Sequence, residues 1–238
     1  MIISGKNSVF EALNSGTTIN KVLIDSSQKS EFVNKVLDVC QRRKIRYDFV
    51  DKKRLDKLSI HNQGIVADII DYKYCDVDEI LNNKTDKGNF IVILDKIQDP
   101  HNFGSIIRVC ECAGVDGIII EDRRSCVVNE TVYKTSAGAI NHVKIAMVKN
   151  INSIIKELKD KNIWIYAAEG NGKGVYNTDL TGNIAIVMGS EGEGVSRLTK
   201  TLCDEVISLP MFGKVNSLNV STATSAIIYE ALRQREGY

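Results

Sequence analysis

The chain has 238 residues, 31 Lys and Arg against 30 Asp and Glu for a formal net charge of +1, with 43% hydrophobic and 26% charged residues. That length suits one large or two small domains with a full core, and the composition is ordinary for a soluble globular protein. No apolar run approaches the roughly 18 residues of a membrane span. Residues 1–13 lack the basic start, apolar stretch and cleavage site of a secretion signal. The six cysteines (40, 75, 110, 112, 126, 203) include no Cys-x-x-Cys pair, and the three histidines stand apart. A disulfide framework and a metal site are therefore both disfavoured, and buried thiols in a reducing cytoplasm are expected.

Taken in chain order, residues 1–72 read as a small α/β unit. Residues 7–13 suit a short helix. Residues 30–44 place Phe32, Val33, Val36, Leu37 and Cys40 at amphipathic-helix spacing, and 21–24, 46–50 and 65–70 read as strands. Between 42 and 57 stand eight basic residues (Arg42, Arg43, Lys44, Arg46, Lys52, Lys53, Arg54 and Lys57) against three acids, a local excess of five charges. Such a patch attracts phosphate, although a solvated helix end and turn would give the same composition. Residues 73–88 are polar and weakly periodic, and are expected to form a linker with a short helical turn.

From residue 89 the pattern changes. Short continuous apolar runs at 90–94, 117–120, 163–167 and 184–188 are separated by helical stretches near 102–113, 150–161 and 218–236. Buried strands alternating with helices predict a mainly parallel sheet covered on both faces. Ligands of such sheets bind beyond the carboxyl ends of the strands, where the unusual loops of this chain fall.

Three constellations stand out. Residues 94–108 combine Asp99-Pro100 with Asn102, a good helix cap, and place His101, Ser105 and Arg108 on one helical face. Residues 186–195 hold Gly189-Ser-Glu-Gly-Glu-Gly194, whose glycines free backbone groups for an adenosine-like ligand but lack the dinucleotide spacing. Residues 207–223 include Pro210, Ser217 and Asn219, either of the last two suited to cap the final helix through Val220, Ala223, Ile227 and Ala231. Each alone is explained by a capped helix or a flexible turn.

In this order and spacing, and with the intervening Thr135-Ser-Ala-Gly-Ala139, the three stretches resemble the signature motifs of the SpoU (TrmH-like) RNA ribose 2′-O-methyltransferases of the SPOUT superfamily. Residues 1–72 resemble the L30e-like substrate-binding domain that precedes the catalytic domain in many members, here spanning 89–238. The resemblance implies a C-terminal deep trefoil knot, which periodicity says nothing about and which is otherwise nearly absent from proteins. It further implies a homodimer with S-adenosylmethionine held by the knot loops, at Gly189, Leu209 and Leu218 with Met188, Met211, Gly213 and Asn219 beside them. Arg108 matches the family's catalytic arginine, while Asn102, Glu191, Ser217 and Asn219 match the other motif positions. No metal is expected.

Methyl transfer from a sulfonium is an in-line displacement, and alignment alone supplies about 7–11 kcal/mol. Arginine stays protonated, so a phosphate clamp and stabiliser of alkoxide charge is the preferred role for Arg108 over a literal base. The basic 42–57 stretch, at Arg42, Arg43, Lys44, Arg46, Lys52, Lys53 and Arg54, suggests structured RNA held by phosphate contacts and shape. The two-domain layout looks most like enzymes methylating a guanosine of 23S ribosomal RNA. A tRNA guanosine is the nearest alternative, followed by a resistance methyltransferase acting on the ribosome. A nucleotide-dependent oxidoreductase or Rossmann-type methyltransferase would want a glycine turn after the first strand, where this chain has Gln98-Asp-Pro-His101. A non-catalytic RNA-binding module would have no need of all five motif residues together.

Overall fold

A computed structural model describes residues 1–15, 17–82 and 86–238, and the chain divides into two compact units. The first comprises 1–73 with 128–142, and the second 74–127 with 143–238.

The first unit carries a four-stranded sheet in the order β1 (Ile2–Ser4), β4 (Ile65–Ile69), β2 (Ile19–Asp25), β3 (Arg46–Val50), mixed in direction. Helix α1 (Lys6–Asn14) and helix α2 (Glu31–Arg42) bury Val9, Leu13, Val33 and Val36, and Ser30 caps α2 by accepting from the Val33 amide. The basic stretch contains a helix that periodicity did not reveal, α3 (Lys52–Leu58), capped by Asp51 and pinned by the fully buried Leu55. Residues 128–142 fall in the middle of the span expected to be catalytic, yet they pack in this unit. Glu130 accepts hydrogen bonds from Ser4 and Ser59 at 2.9 and 2.8 Å, and Asn141 accepts one from Thr17.

The second unit holds six strands, all paired in parallel. Their order is β10 (Glu205–Ser208), β8 (Trp164–Gly174), β9 (Ile184–Gly189), β5 (Phe90–Asp95), β6 (Gly117–Glu121), β7 (Ile145–Val148). Every residue of the central β5 and β9 is buried, which is why both read as unbroken apolar runs. The edge strands β7 and β10 are short: β7 has no counterpart among the expected strands, whereas β10 is the apolar strand expected before Pro210. Helices α5 (Pro100–Cys112), α7 (Ile151–Asp160) and α9 (Val220–Glu236) follow the expected stretches. The stretch 73–88, expected as a linker with a short helical turn, is built into this unit from residue 74 on. Its α4 (Val77–Leu81) buries Ile80 and Leu81 in the same core as Ile91 and Ile119, and the Cys75 amide donates to the Ile145 carbonyl. Residues 83–85 of that stretch lie outside the described residues. The chain expected to carry the knot runs from β9 past β8 to β10 at the sheet edge, then back into α9, which packs against α5 and β9.

Candidate functional site

Strands β8, β9 and β5 lie side by side, and their carboxyl ends carry the loop 190–196. Two carboxylates fix it: Glu169, just beyond the stretch where β8 pairs with β9, accepts from the Val195 amide at 2.6 Å. Asp95, ending β5, is buried and accepts from the Ser196 amide at 2.7 Å. Gly189 and Gly194 are required by close approach. A Cβ on Gly189 would sit 2.0 Å from the Gly194 carbonyl carbon, and Gly194 has φ +66° with Glu169 against it.

Behind this loop lies a cavity of about 560 Å³, within the range of small-molecule sites. Of the residues expected around the cofactor, Met188, Gly189, Leu209, Met211, Leu218 and Asn219 line it, as do Glu191 and Ser217. Gly213 lies in the same exposed segment but is not on the wall. Three lining residues had no sequence signal: Ala168, Glu169 and Gly170. Consecutive residues Val206 and Ile207 of β10 pair with Ala167 and Lys173 of β8, so 168–172 bulge out of the ladder. Gly172 permits this, because a Cβ there would meet the Val206 carbonyl oxygen at 2.5 Å. Helix α9 completes the wall with Val220, Ala223 and Ile227. Ala223 is thus half-buried at the cavity and not a full core residue.

The motif residues converge on Glu191. Its Oε1 accepts from Asn102 Nδ2 at 3.0 Å, from Asn219 Nδ2, and from the Val220 amide at 3.4 Å, and Asn219 Nδ2 also reaches Asn102 Oδ1 at 2.9 Å. One capping expectation is corrected, and the choice between Ser217 and Asn219 is resolved. Helix α5 starts two residues before Asn102, with Pro100 in its first turn, and Asp99 caps it by accepting from the His101 and Asn102 amides. That leaves the Asn102 side chain for the cluster. Helix α9 is capped by Asn219, whose Oδ1 accepts from the Ser221 and Thr222 amides, so Ser217 is not the cap. A second cavity, also of about 560 Å³, opens on the other side of the 190–193 loop, lined by Asn102, Glu191, Lys96 and Arg124 among others.

Arg108 is exposed and lines neither cavity of its own chain. Six residues beyond Asn102, it lies about 9 Å further along α5 and about 120° around it. The thiols nearby are not nucleophiles: burial pushes Cys126 up to about 11 and Cys203 up to about 12, and raises Cys110 further.

The expected RNA-contacting cations divide. Arg43 is spent on its own unit, donating to the carbonyls of Leu13, Ser15 and Thr17 at 2.6, 2.8 and 2.9 Å. It is a clamp on the end of α1, and its place in a free basic patch is withdrawn. Arg42 pairs with Asp38 at 2.9 Å on α2. Lys44, Arg46, Lys52, Lys53 and Arg54 are exposed.

Residues 89–229 match the SpoU rRNA Methylase family model, and residues 2–75 match the model for RNA 2′-O ribose methyltransferase substrate binding. A protein of Staphylococcus aureus (strain COL) described as a TrmH family tRNA/rRNA methyltransferase is 42% identical over 238 residues, covering 98% of this chain and 96% of its own. Among solved structures, the SpoU methyltransferase AviRb of Streptomyces viridochromogenes, in complex with AdoMet, superposes with a TM-score of 0.85 at 24% identity, covering 100% of this chain and 91% of that one. The A. aeolicus TrmH/SpoU tRNA modifying enzyme superposes with a TM-score of 0.57 at 31% identity, over 67% of this chain and 80% of that one. The chain therefore belongs to the SpoU (TrmH-like) family of S-adenosylmethionine-dependent RNA ribose 2′-O-methyltransferases, and it has the SPOUT fold.

Proposed function

We propose that this enzyme methylates the 2′-hydroxyl of a guanosine in 23S ribosomal RNA, in the cytoplasm and as a homodimer. The observation that carries the site assignment is the Asn102–Glu191–Asn219 cluster, set between two cavities that share the 190–193 loop. The glycine-lined cavity behind the loop fits the donor, with Met188, Leu209, Met211 and Leu218 giving apolar walls and Asn219 a polar edge. Gly213 lies in the segment that edges it. S-adenosylmethionine supplies there a methyl group on a sulfonium, ready for displacement.

Glu191 orients the two asparagine amides, and Asn102 and Ser217 position the acceptor ribose. Arg108 clamps the phosphate and stabilises charge developing on the 2′-oxygen. Since Arg108 lines neither cavity of its own chain, it acts at the site of a second copy. Mixing Arg108→Ala with Glu191→Ala tests this: two inactive proteins regain a fraction of wild-type activity if each site is built from two chains. Continued inactivity of verified heterodimers counts against it. Arg108→Lys is expected to lose most activity while keeping cofactor affinity, because lysine lacks the planar fork. Full turnover in that variant refutes the clamp.

Lys44, Arg46, Lys52, Lys53, Arg54 and, through its exposed face, Arg42 supply the phosphate-attracting surface of the first unit. The ribosomal acceptor is favoured by the family model matched; a tRNA guanosine is the second reading, supported by the tRNA modifying relative. Mapping 2′-O-methyl marks on total RNA from cells with and without the gene decides between them. One 23S guanosine mark is expected to vanish, and loss of a tRNA mark would overturn the ribosomal reading.

A further inference from the structure

Two cations line the second cavity: Arg124, which lies outside all three motifs, and Lys96, which lies within the first but is given no role there. Lys96 directly follows β5 and Arg124 follows β6 by three residues, so both stand beyond the carboxyl ends of neighbouring parallel strands. Both have left-handed backbones, φ +60° and φ +67°, among only six non-glycine residues of the described chain that do. Long side chains seldom occupy that region, and where they do, a ligand site is a common reason.

The acids around the cavity are already engaged. Asp99 caps α5, Glu191 holds the asparagine cluster, and the exposed Glu193 pairs with Lys96 at 3.2 Å. Arg124 is exposed, and among the described residues no carboxylate pairs with it. The cavity is thus left with one uncompensated guanidinium and one ammonium held by a carboxylate that solvent reaches readily. Ser190, Glu191, Gly192, Glu193 and Val220 form the shared wall with the cofactor cavity, so an anionic ligand entering here lies one loop away from the methyl donor.

We propose that Arg124, assisted by Lys96, binds a backbone phosphate of the acceptor nucleotide and thereby seats its ribose against the Asn102–Glu191–Asn219 cluster. This rests on the RNA-methylating reading of the site. Each ribose is flanked by two phosphates, so the contact is additional to that of Arg108. Arg124 is here a positioning residue: it fixes the oxygen for in-line attack and takes no proton.

The test uses the full-length enzyme, total RNA from cells lacking the gene, and labelled S-adenosylmethionine. Arg124→Gln is expected to raise KM for RNA about ten-fold, as for loss of one charge-assisted phosphate contact. The slope of log affinity against log salt should fall by about 1. Arg124→Lys should restore the slope and part of KM, which a purely structural role would not give. Lys96→Met should show the same pattern more weakly, and cofactor affinity by calorimetry should stay unchanged in all three. Unchanged KM and slope in Arg124→Gln overturn the proposal. Weakened cofactor binding with unaltered RNA affinity also overturns it, since the cations would then hold the cofactor's own carboxylate. If the wild type instead labels a base, the ribose reading fails, while KM and salt slope still judge Arg124.

Discussion

Glu191 and Arg43 show that the work of a charged side chain is set by the partners folding brings to it. Glu191 gathers three donors from two separate stretches of chain, Asn102 in one and Asn219 with Val220 in the other. Replacing it with Gln keeps one acceptor oxygen but removes the negative charge that strengthens all three hydrogen bonds. Glu191→Gln is therefore expected to lower kcat by about ten-fold or more, with the thermal midpoint nearly unchanged because the group is on the surface of the site. A wild-type kcat in a methyl-transfer assay would show the cluster to be merely structural. Arg43 satisfies carbonyls that the end of α1 leaves open. Arg43→Ala is expected to cost about 1–3 kcal/mol in urea unfolding of the protein. Lys53→Ala, in contrast, should leave stability alone and weaken RNA binding in a salt-dependent way. Arg43 and Lys53 carry the same positive charge; only the carbonyls around Arg43 separate them.

At the scale of elements, the loop after β9 depends on backbone packed against backbone. Gly189→Ala forces Cβ into the Gly194–Val195 peptide, which no side-chain rotation can relieve. The expected result is a loss of about 1–3 kcal/mol of stability together with much weaker cofactor binding, measurable by denaturation and calorimetry. Helix α9 carries a second device. Glu230 is buried and accepts from Arg233 at 2.9 Å and from Gln234 at 2.7 Å, and Gln234 in turn bonds the Thr178 carbonyl and Leu180 amide. The Arg233 guanidinium holds the Glu230 carboxyl below its ordinary value of 4.5. A carboxyl with a lowered folded-state value stabilises above the unfolded value and loses that contribution as pH falls through the folded one. Glu230→Gln should therefore lower the melting temperature at neutral pH. The gap to wild type should narrow as pH drops below about 4.5. A gap that stays constant with pH would remove the ion pair from the account.

For the whole molecule, the boundary between units does not follow the chain. The path leaves β6 at the edge of the second cavity, passes Arg124, enters the first unit at 128–142 and returns to β7. Inserting a domain or deleting within 128–142 is therefore expected to damage the first unit as well. Protection of Val22 and Ile24 amides from hydrogen exchange would report this, and unchanged protection would argue against it. The segment around Met211, Phe212, Val215 and Leu218 is exposed in the single chain, with Phe212 97% accessible. A homodimer that covers it is expected to show twice the single-chain mass in solution, and Phe212→Glu should shift that mass toward monomer.

By itself the amino-acid sequence determined the buried parallel strands, the amphipathic helices and the three loops at strand ends, and through those loops the family. These are short-range signals: periods of two and 3.6 residues, unbroken apolar runs, prolines and glycines. Tertiary structure decided the rest. Asn102 looked like a cap because it is one residue type that caps well, yet its partners Glu191 and Asn219 lie 89 and 117 residues away. The bulge that brings Glu169 to the glycine-lined cavity arises from the register of β8 on β10, which neither strand encodes alone. Arg124 carried no motif and becomes significant only because two adjacent strands end together. Local pattern specifies what each segment is, but hydrogen-bond and charge partners are set by how distant segments pack, and that information resides in the folded chain.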